Sequence, residues 1–103
     1  MSLSTHVLDA SIGRPAEGIA VRLESRDGVI DERRTDAEGR VGGWKPGRGV
    51  HRLVFETGHY FAGRGMETFY PEATVTFTVA DPDAHYHVPL LLSPFAYTTY
   101  RGS

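Results

Sequence analysis

Five histidines, at positions 6, 51, 59, 85 and 87, are the side chains of this 103-residue sequence best suited to move protons near neutral pH. Two of them form the pair His85-Tyr86-His87 inside His85-Tyr86-His87-Val88-Pro89-Leu90, a run that reads as a strand. Strand geometry puts both rings on one face. That spacing supports three chemistries. The pair can be ordinary hydrogen-bonded strand residues. It can give two ligands to a zinc ion with His6 as the third, because open zinc sites commonly use three protein ligands. Or one histidine can act as acid or base beside a cation that stabilises developing negative charge. Spacing alone leaves all three open.

His6 sits in Leu3-Ser4-Thr5-His6-Val7-Leu8-Asp9, where alternation turns it away from Val7 and onto the side of Leu8. Read alone, it is a packing residue. Arg40 closes the turn Thr35-Asp36-Ala37-Glu38-Gly39-Arg40 and, read alone, is a solvated arginine after a hairpin. The carboxylates are scattered, with no pair spaced for glycosidase chemistry. No serine stands in a Gly-x-Ser-x-Gly setting, and no glycine-rich loop follows a strand and opens a helix. At the other end, Tyr97-Thr98-Thr99-Tyr100-Arg101-Gly102-Ser103 reads as a β run continuing to the last residue.

The elements that must position these groups are short strands. Ile19, Val21 and Leu23 alternate with Ala20, Arg22 and Glu24; Val75, Phe77 and Val79 alternate with Thr74, Thr76 and Thr78. His51, Leu53 and Phe55 face one way and Arg52, Val54 and Glu56 the other. Each is a half-buried strand of an antiparallel sheet. Asp27-Gly28 marks a hairpin, Asp36 to Gly39 a turn, and Asp81-Pro82-Asp83 the end of the strand near Ala80. Gly42-Gly43 and Pro46 to Gly49 read as a loop around Trp44, and Thr57 to Gly63 as the one short helix. Turns every ~8–12 residues between such runs predict an all-β chain of two stacked sheets, one domain over 1–103.

Composition narrows the function classes. A net charge of −2 provides no basic field for nucleic acid. The longest apolar run, Val88 to Leu92, is too short to cross a bilayer and contains a proline, and the first residues do not read as a secretory signal. Cysteine is absent, which removes disulfides and thiolate chemistry and favours a cytoplasmic location or stabilisation by subunit association.

The sequence closely resembles the transthyretin-related 5-hydroxyisourate hydrolase family over essentially its whole length. The resemblance rests on Thr5-His6-Val7-Leu8-Asp9, Gly13-Arg14-Pro15-Ala16, Thr35 to Arg40, Phe69-Tyr70-Pro71-Glu72, His85 to Pro94 and Tyr100-Arg101-Gly102-Ser103. Glu38 stands where that family usually has Asp, and Ala96 where it usually has Gly. The resemblance implies a prealbumin-like sandwich of two four-stranded sheets with one short helix, assembled as a homotetramer, a dimer of dimers. It further implies active sites in the channel between dimers, with His6, Arg40 and His87 catalytic, and with His6, Arg40, Tyr100, Arg101, Gly102 and Ser103 binding the substrate. His85 is not one of the family's catalytic positions. The implied reaction converts the small molecule 5-hydroxyisourate to 2-oxo-4-hydroxy-4-carboxy-5-ureidoimidazoline in urate degradation, with no cofactor, no metal, no nucleic acid and no membrane. Histidine-activated water would attack, Arg40 would hold the oxyanion, and Tyr100 and Ser103 would position the ring. A non-catalytic carrier on the same sandwich is the alternative expected to lack both histidines and the final tetrapeptide.

Overall fold

A computed structural model describes residues 2–103; Met1, the first residue of the expected 1–103 domain, lies outside the described residues. Each alternating run becomes strand, with Ile19 and Glu56 falling just outside the strand ends. The elements are β1 (Ser2–Asp9), β2 (Arg14–Pro15), β3 (Ala20–Ser25), β4 (Gly28–Arg34), β5 (Arg40–Trp44), β6 (Gly49–Phe55), α1 (Thr57–Gly63), β7 (Ala73–Val79), β8 (His85–His87), β9 (Leu90–Ser93) and β10 (Ala96–Thr99).

The second sheet runs β4-β3-β6-β7. All its pairings are antiparallel, with Val21 opposite Arg33 and Phe55, and Leu53 opposite Val75. The first sheet is built on β1. One edge of β1 pairs antiparallel with β5 and β2, and the other pairs parallel with β8 and β9, beyond which lies β10. Its six segments therefore occupy four tracks, the expected arrangement with two tracks interrupted. Pro89 explains one interruption. It has no N–H to give the ladder, so the run expected from His85 to Leu90 splits into β8 and β9 in unbroken register.

Between the sheets lie Leu3, Val7, Val41, Trp44, Tyr86, Val88, Leu90 and Leu92 from the first and Val21, Leu23, Leu53, Phe55, Val75 and Val79 from the second. Each large apolar side chain of this kind contributes about 1.5–3 kcal/mol by leaving water. Trp44 corrects the expected loop. It closes β5, and an extra residue in the Gly42-Gly43 stretch, where the register against Leu3 and Thr5 shifts, lets Val41 and Trp44 both face inward. Its indole N–H donates to Asp31 Oδ2 at 2.9 Å. The short helix covers one end of the core with Phe61, and Tyr60 donates its O–H to the fully buried Asp9 at 2.7 Å.

The run expected to continue as strand to Ser103 stops at Thr99. The physical cause is again the break at Val88-Pro89. β10 pairs with β9 as far as Thr99 opposite Leu90, Tyr100 and Arg101 pass the gap, and Gly102 alone resumes pairing, with His87.

Candidate active site

Alternation along β1 decides which side chains share the open face of the first sheet. Leu3, Thr5, Val7 and Asp9 are buried, so Ser2, Ser4, His6 and Leu8 point outward. His6 lies directly opposite Arg40 on β5, and Ser4 directly opposite His87 on β8. Pairing on both edges of one strand thus collects His6, Arg40 and His87 from three distant segments.

Arg40 is aimed by the turn before it. The Asp36 carboxylate accepts the backbone N–H groups of Glu38 at 2.9 Å and Arg40 at 3.0 Å, and Gly39 donates its N–H to the Asp36 carbonyl at 2.9 Å. Gly39 has φ +77°, and a β-carbon there would collide with the carbonyl oxygen of Val7. Only glycine fits the turn. These N–H bonds, that of Arg40 foremost, hold the Asp36 carboxyl below its ordinary range. Glu38 offers the turn its N–H and leaves its side chain exposed, so the departure from Asp changes no bond of the turn. Ala96 likewise sits at ordinary negative φ in β10 and needs no glycine. Among the described residues the Arg40 guanidinium makes no salt bridge.

His87 is held from two sides. Its Nδ1 lies 2.8 Å from Ser4 Oγ, and its carbonyl accepts the N–H of Gly102 at 2.8 Å. A β-carbon on Gly102 would stand 2.5 Å from His87 Cδ2, so the backbone at 102 lies flush against the ring. Nε2 has no protein partner among the described residues and is not sealed from solvent. Burial first, then the charges of Arg40, His6 and His85, hold the His87 pKa below the ordinary histidine value. The ring is therefore neutral at neutral pH, the state a general base requires.

The remaining candidates divide. His85 repeats the serine contact, with Nδ1 2.6 Å from Ser2 Oγ, but is exposed. His51 is buried in the second sheet against Phe77, and His59 is exposed on α1. Gly102 borders His87 and the exposed Ser103 follows it in the chain, whereas the Arg101 guanidinium sits 4.6 Å over the Tyr86 ring. Tyr100 and Arg101 line a separate cleft of about 330 Å³ with Val75, Phe77 and Val88. No histidine lines that cleft; His6, His85 and His87 all lie on the open face of the first sheet. Among the described residues no three His, Cys, Asp or Glu side chains are grouped to hold a metal ion, so His6, His85 and His87 form no preassembled cage.

Three residues escaped sequence reasoning. Asp36 shapes the turn, and the fully buried Asp9 accepts from Ser11 and Tyr60, an arrangement that pushes the Tyr60 phenol up to about 12, chiefly through burial. Ser4 was the third; strand alternation places it with His6, but only the long-range parallel pairing of β1 with β8 brings it to His87.

The sandwich of these two sheets places the chain in the transthyretin-like class of β proteins. The chain belongs to the HIUase/Transthyretin family, whose family model matches residues 3–102. A Caulobacter vibrioides protein named 5-hydroxyisourate hydrolase is 43% identical over 112 residues, covering 98% of this chain and 97% of that one. The structure of a Klebsiella pneumoniae 5-hydroxyisourate hydrolase superposes with a TM-score of 0.90 at 37% identity, covering 99% of this chain and 93% of the other. A transthyretin from Sparus aurata superposes with a TM-score of 0.86 at 34% identity, covering 97% of this chain and 95% of that one. No described helix is long and apolar enough to cross a membrane.

Proposed function

We propose that this chain hydrolyses 5-hydroxyisourate to 2-oxo-4-hydroxy-4-carboxy-5-ureidoimidazoline, the reaction for which its relatives from Caulobacter vibrioides and Klebsiella pneumoniae are named. The observation that carries the reading is His6 opposite Arg40, with the neutral, two-sided His87 on the same open face. A histidine, His87 or His6, takes a proton from water as the water oxygen adds to the ring carbonyl carbon. Negative charge gathers on the carbonyl oxygen, where the unpaired Arg40 guanidinium holds it. The carbon–nitrogen bond then breaks, the leaving nitrogen receives the proton from the histidine, and the new carboxylic acid ionises. Atoms and charge balance with water alone, so the step needs no cofactor.

Tyr100, Arg101, Gly102 and Ser103 bind the substrate together with His6 and Arg40, Gly102 lying against His87 and Arg101 holding the segment in place by its stack on Tyr86. The enzyme works as a single-domain subunit of a cytoplasmic homotetramer, a dimer of dimers whose facing subunits enclose the open face. Leu8 and Leu91, directly opposite each other and exposed on that face, support such a cover. A carrier function has the Sparus aurata likeness in its favour, but an apolar ligand gives no use for a guanidinium without a salt bridge beside two histidines. The test is the ultraviolet decay of freshly made 5-hydroxyisourate with and without the purified protein. Acceleration proportional to protein concentration is expected; decay at the spontaneous rate would overturn the hydrolase reading.

A further inference from the structure

We infer that Ser4 is a positioning residue for His87, fixing the ring so that Nδ1 carries its proton and Nε2 is the atom that accepts one from water; this rests on the hydrolase reading above. The geometry comes from the backbone upward. Ser4 and His87 are register partners across the parallel β1–β8 pair, which brings Ser4 Oγ to 2.8 Å from Nδ1. The backbone below the pair is fixed as well, because the Val88 N–H donates to the Ser4 carbonyl at 2.9 Å. On the opposite side of the ring, Gly102 closes off Cδ2. With Nδ1 and Cδ2 both occupied, the ring presents the edge bearing Cε1 and Nε2 to the open face.

Which way the proton lies follows from chemistry. A hydroxyl both gives and takes a hydrogen bond, so Ser4 could serve either tautomer. A base working through Nε2 must leave that nitrogen unprotonated, and the remaining ring proton is then on Nδ1, donating to Ser4 Oγ. When Nε2 gains the proton from water, the Nδ1–H bond to Ser4 survives unchanged, and when Nε2 returns it to the leaving nitrogen the starting tautomer is restored. Ser4 therefore stays bonded through the whole cycle without moving. No protein hydrogen bond holds either nitrogen of His6 among the described residues, so the structure singles out His87 as the oriented base of the two. The pair Ser2 and His85, at 2.6 Å, has the same contact two residues away but an exposed imidazole with no Gly102 behind it, which separates orientation from a mere serine contact.

The experiment compares wild type, Ser4→Ala and Ser4→Thr, each checked for assembly and thermal unfolding, in steady-state hydrolysis and in long-range 15N–1H spectra of the histidine rings. Ser4→Ala is expected to lower kcat about 10-fold with KM within about twofold, because orientation and proton placement act in the transition state rather than in binding. Ser4→Thr keeps the hydroxyl and should restore kcat to within about threefold of wild type. The spectra should show His87 with its proton on Nδ1 in wild type and Ser4→Thr, and a mixture of tautomers in Ser4→Ala. Wild-type kcat in Ser4→Ala, or a His87 proton on Nε2 in the wild type, would overturn the assignment. The spectra need no substrate. If the wild type does not hydrolyse 5-hydroxyisourate at all, the hydrolase reading fails by itself, and the tautomer of His87 still decides whether Ser4 orients the ring.

Discussion

The two sheets expose opposite kinds of surface. On the open face of the second, charges neutralise one another: Glu24 on β3 accepts from Arg22 at 3.2 Å and from Arg52 on β6 at 3.2 Å, and Arg22 also pairs with Glu56. On the open face of the first, Arg40, His6, His85 and His87 gather with no salt bridge among the described residues, and the charges of the first three depress the pKa of the fourth. The carboxylate of Asp36, in the turn before Arg40, accepts the N–H groups of its own turn. A paired face stabilises the fold. A face that leaves its guanidinium and imidazoles without carboxylate partners is organised for something that arrives from outside. Substitution should therefore cost rate on one face and stability on the other.

The largest effect expected is from deleting Tyr100 to Ser103, which removes the Gly102 bridge to His87 and the Arg101 stack on Tyr86 together. Hydrolysis should fall to the spontaneous rate while the core between the sheets, which uses none of these residues, stays folded by circular dichroism. Full activity in the truncated protein would make the segment a simple edge. Next come His6→Ala, Arg40→Ala and His87→Ala, each expected to lose at least ~100-fold in kcat/KM, the usual scale for removing a base or an oxyanion partner. His85→Ala should cost far less, since its ring is exposed and lacks the backing of Gly102. Equal losses at positions 85 and 87 would erase the distinction between the two serine-linked histidines.

A smaller and more diagnostic effect concerns the His87 titration. Burial and the neighbouring Arg40, His6 and His85 favour the neutral ring, so its pKa lies below the ordinary value of about 6.5. The unfolded chain then binds the proton more readily than the folded one. Stability from this group is full above the unfolded value and declines as pH falls through the interval down to the folded one. The acid limb of kcat/KM should accordingly lie below pH 6.5. Arg40→Ala removes the largest of the neighbouring charges, so NMR titration of His87 should move upward toward the ordinary value. An unchanged midpoint would mean that Arg40 does not act on that ring.

Much of this was legible in the sequence, for a physical reason. Strands are written in local alternation, so the core positions Val21, Leu23, Leu53, Phe55, Val75 and Val79 and the turning of His6 away from Val7 onto the side of Leu8 could be read from neighbours in the chain. The helix Thr57–Gly63 also fell where its composition placed it. What stayed hidden depends on partners far away. Trp44 reads as loop among glycines, yet pairing with Leu3 makes it strand, and a bulge turns it inward. The end of β10 is decided by Pro89, a residue in another strand's track. His6 and Arg40 carry no signal of belonging together until β1 and β5 pair, and only family resemblance raised them above ordinary packing and surface residues. Ser4 had neither kind of signal.

The smallest effect expected is on the paired face. Arg52→Ala removes one guanidinium from Glu24, which keeps Arg22, and Arg52 is 48% exposed. An exposed pair of this kind is worth about 0.2–1 kcal/mol, and less as salt screens it. Denaturant unfolding should therefore register a loss within that range, shrinking further in high salt, with kcat/KM for hydrolysis unchanged. Arg40→Ala makes the matched comparison, because it too deletes one guanidinium from a strand facing outward. There the like charges around it are relieved rather than a pair broken, so stability should hold or rise slightly below pH 6.5 while the rate collapses. If Arg40→Ala unfolded more easily than Arg52→Ala, Arg40 would be held by a partner within the protein, and the contrast between a face that pairs its charges and a face that reserves them would fail.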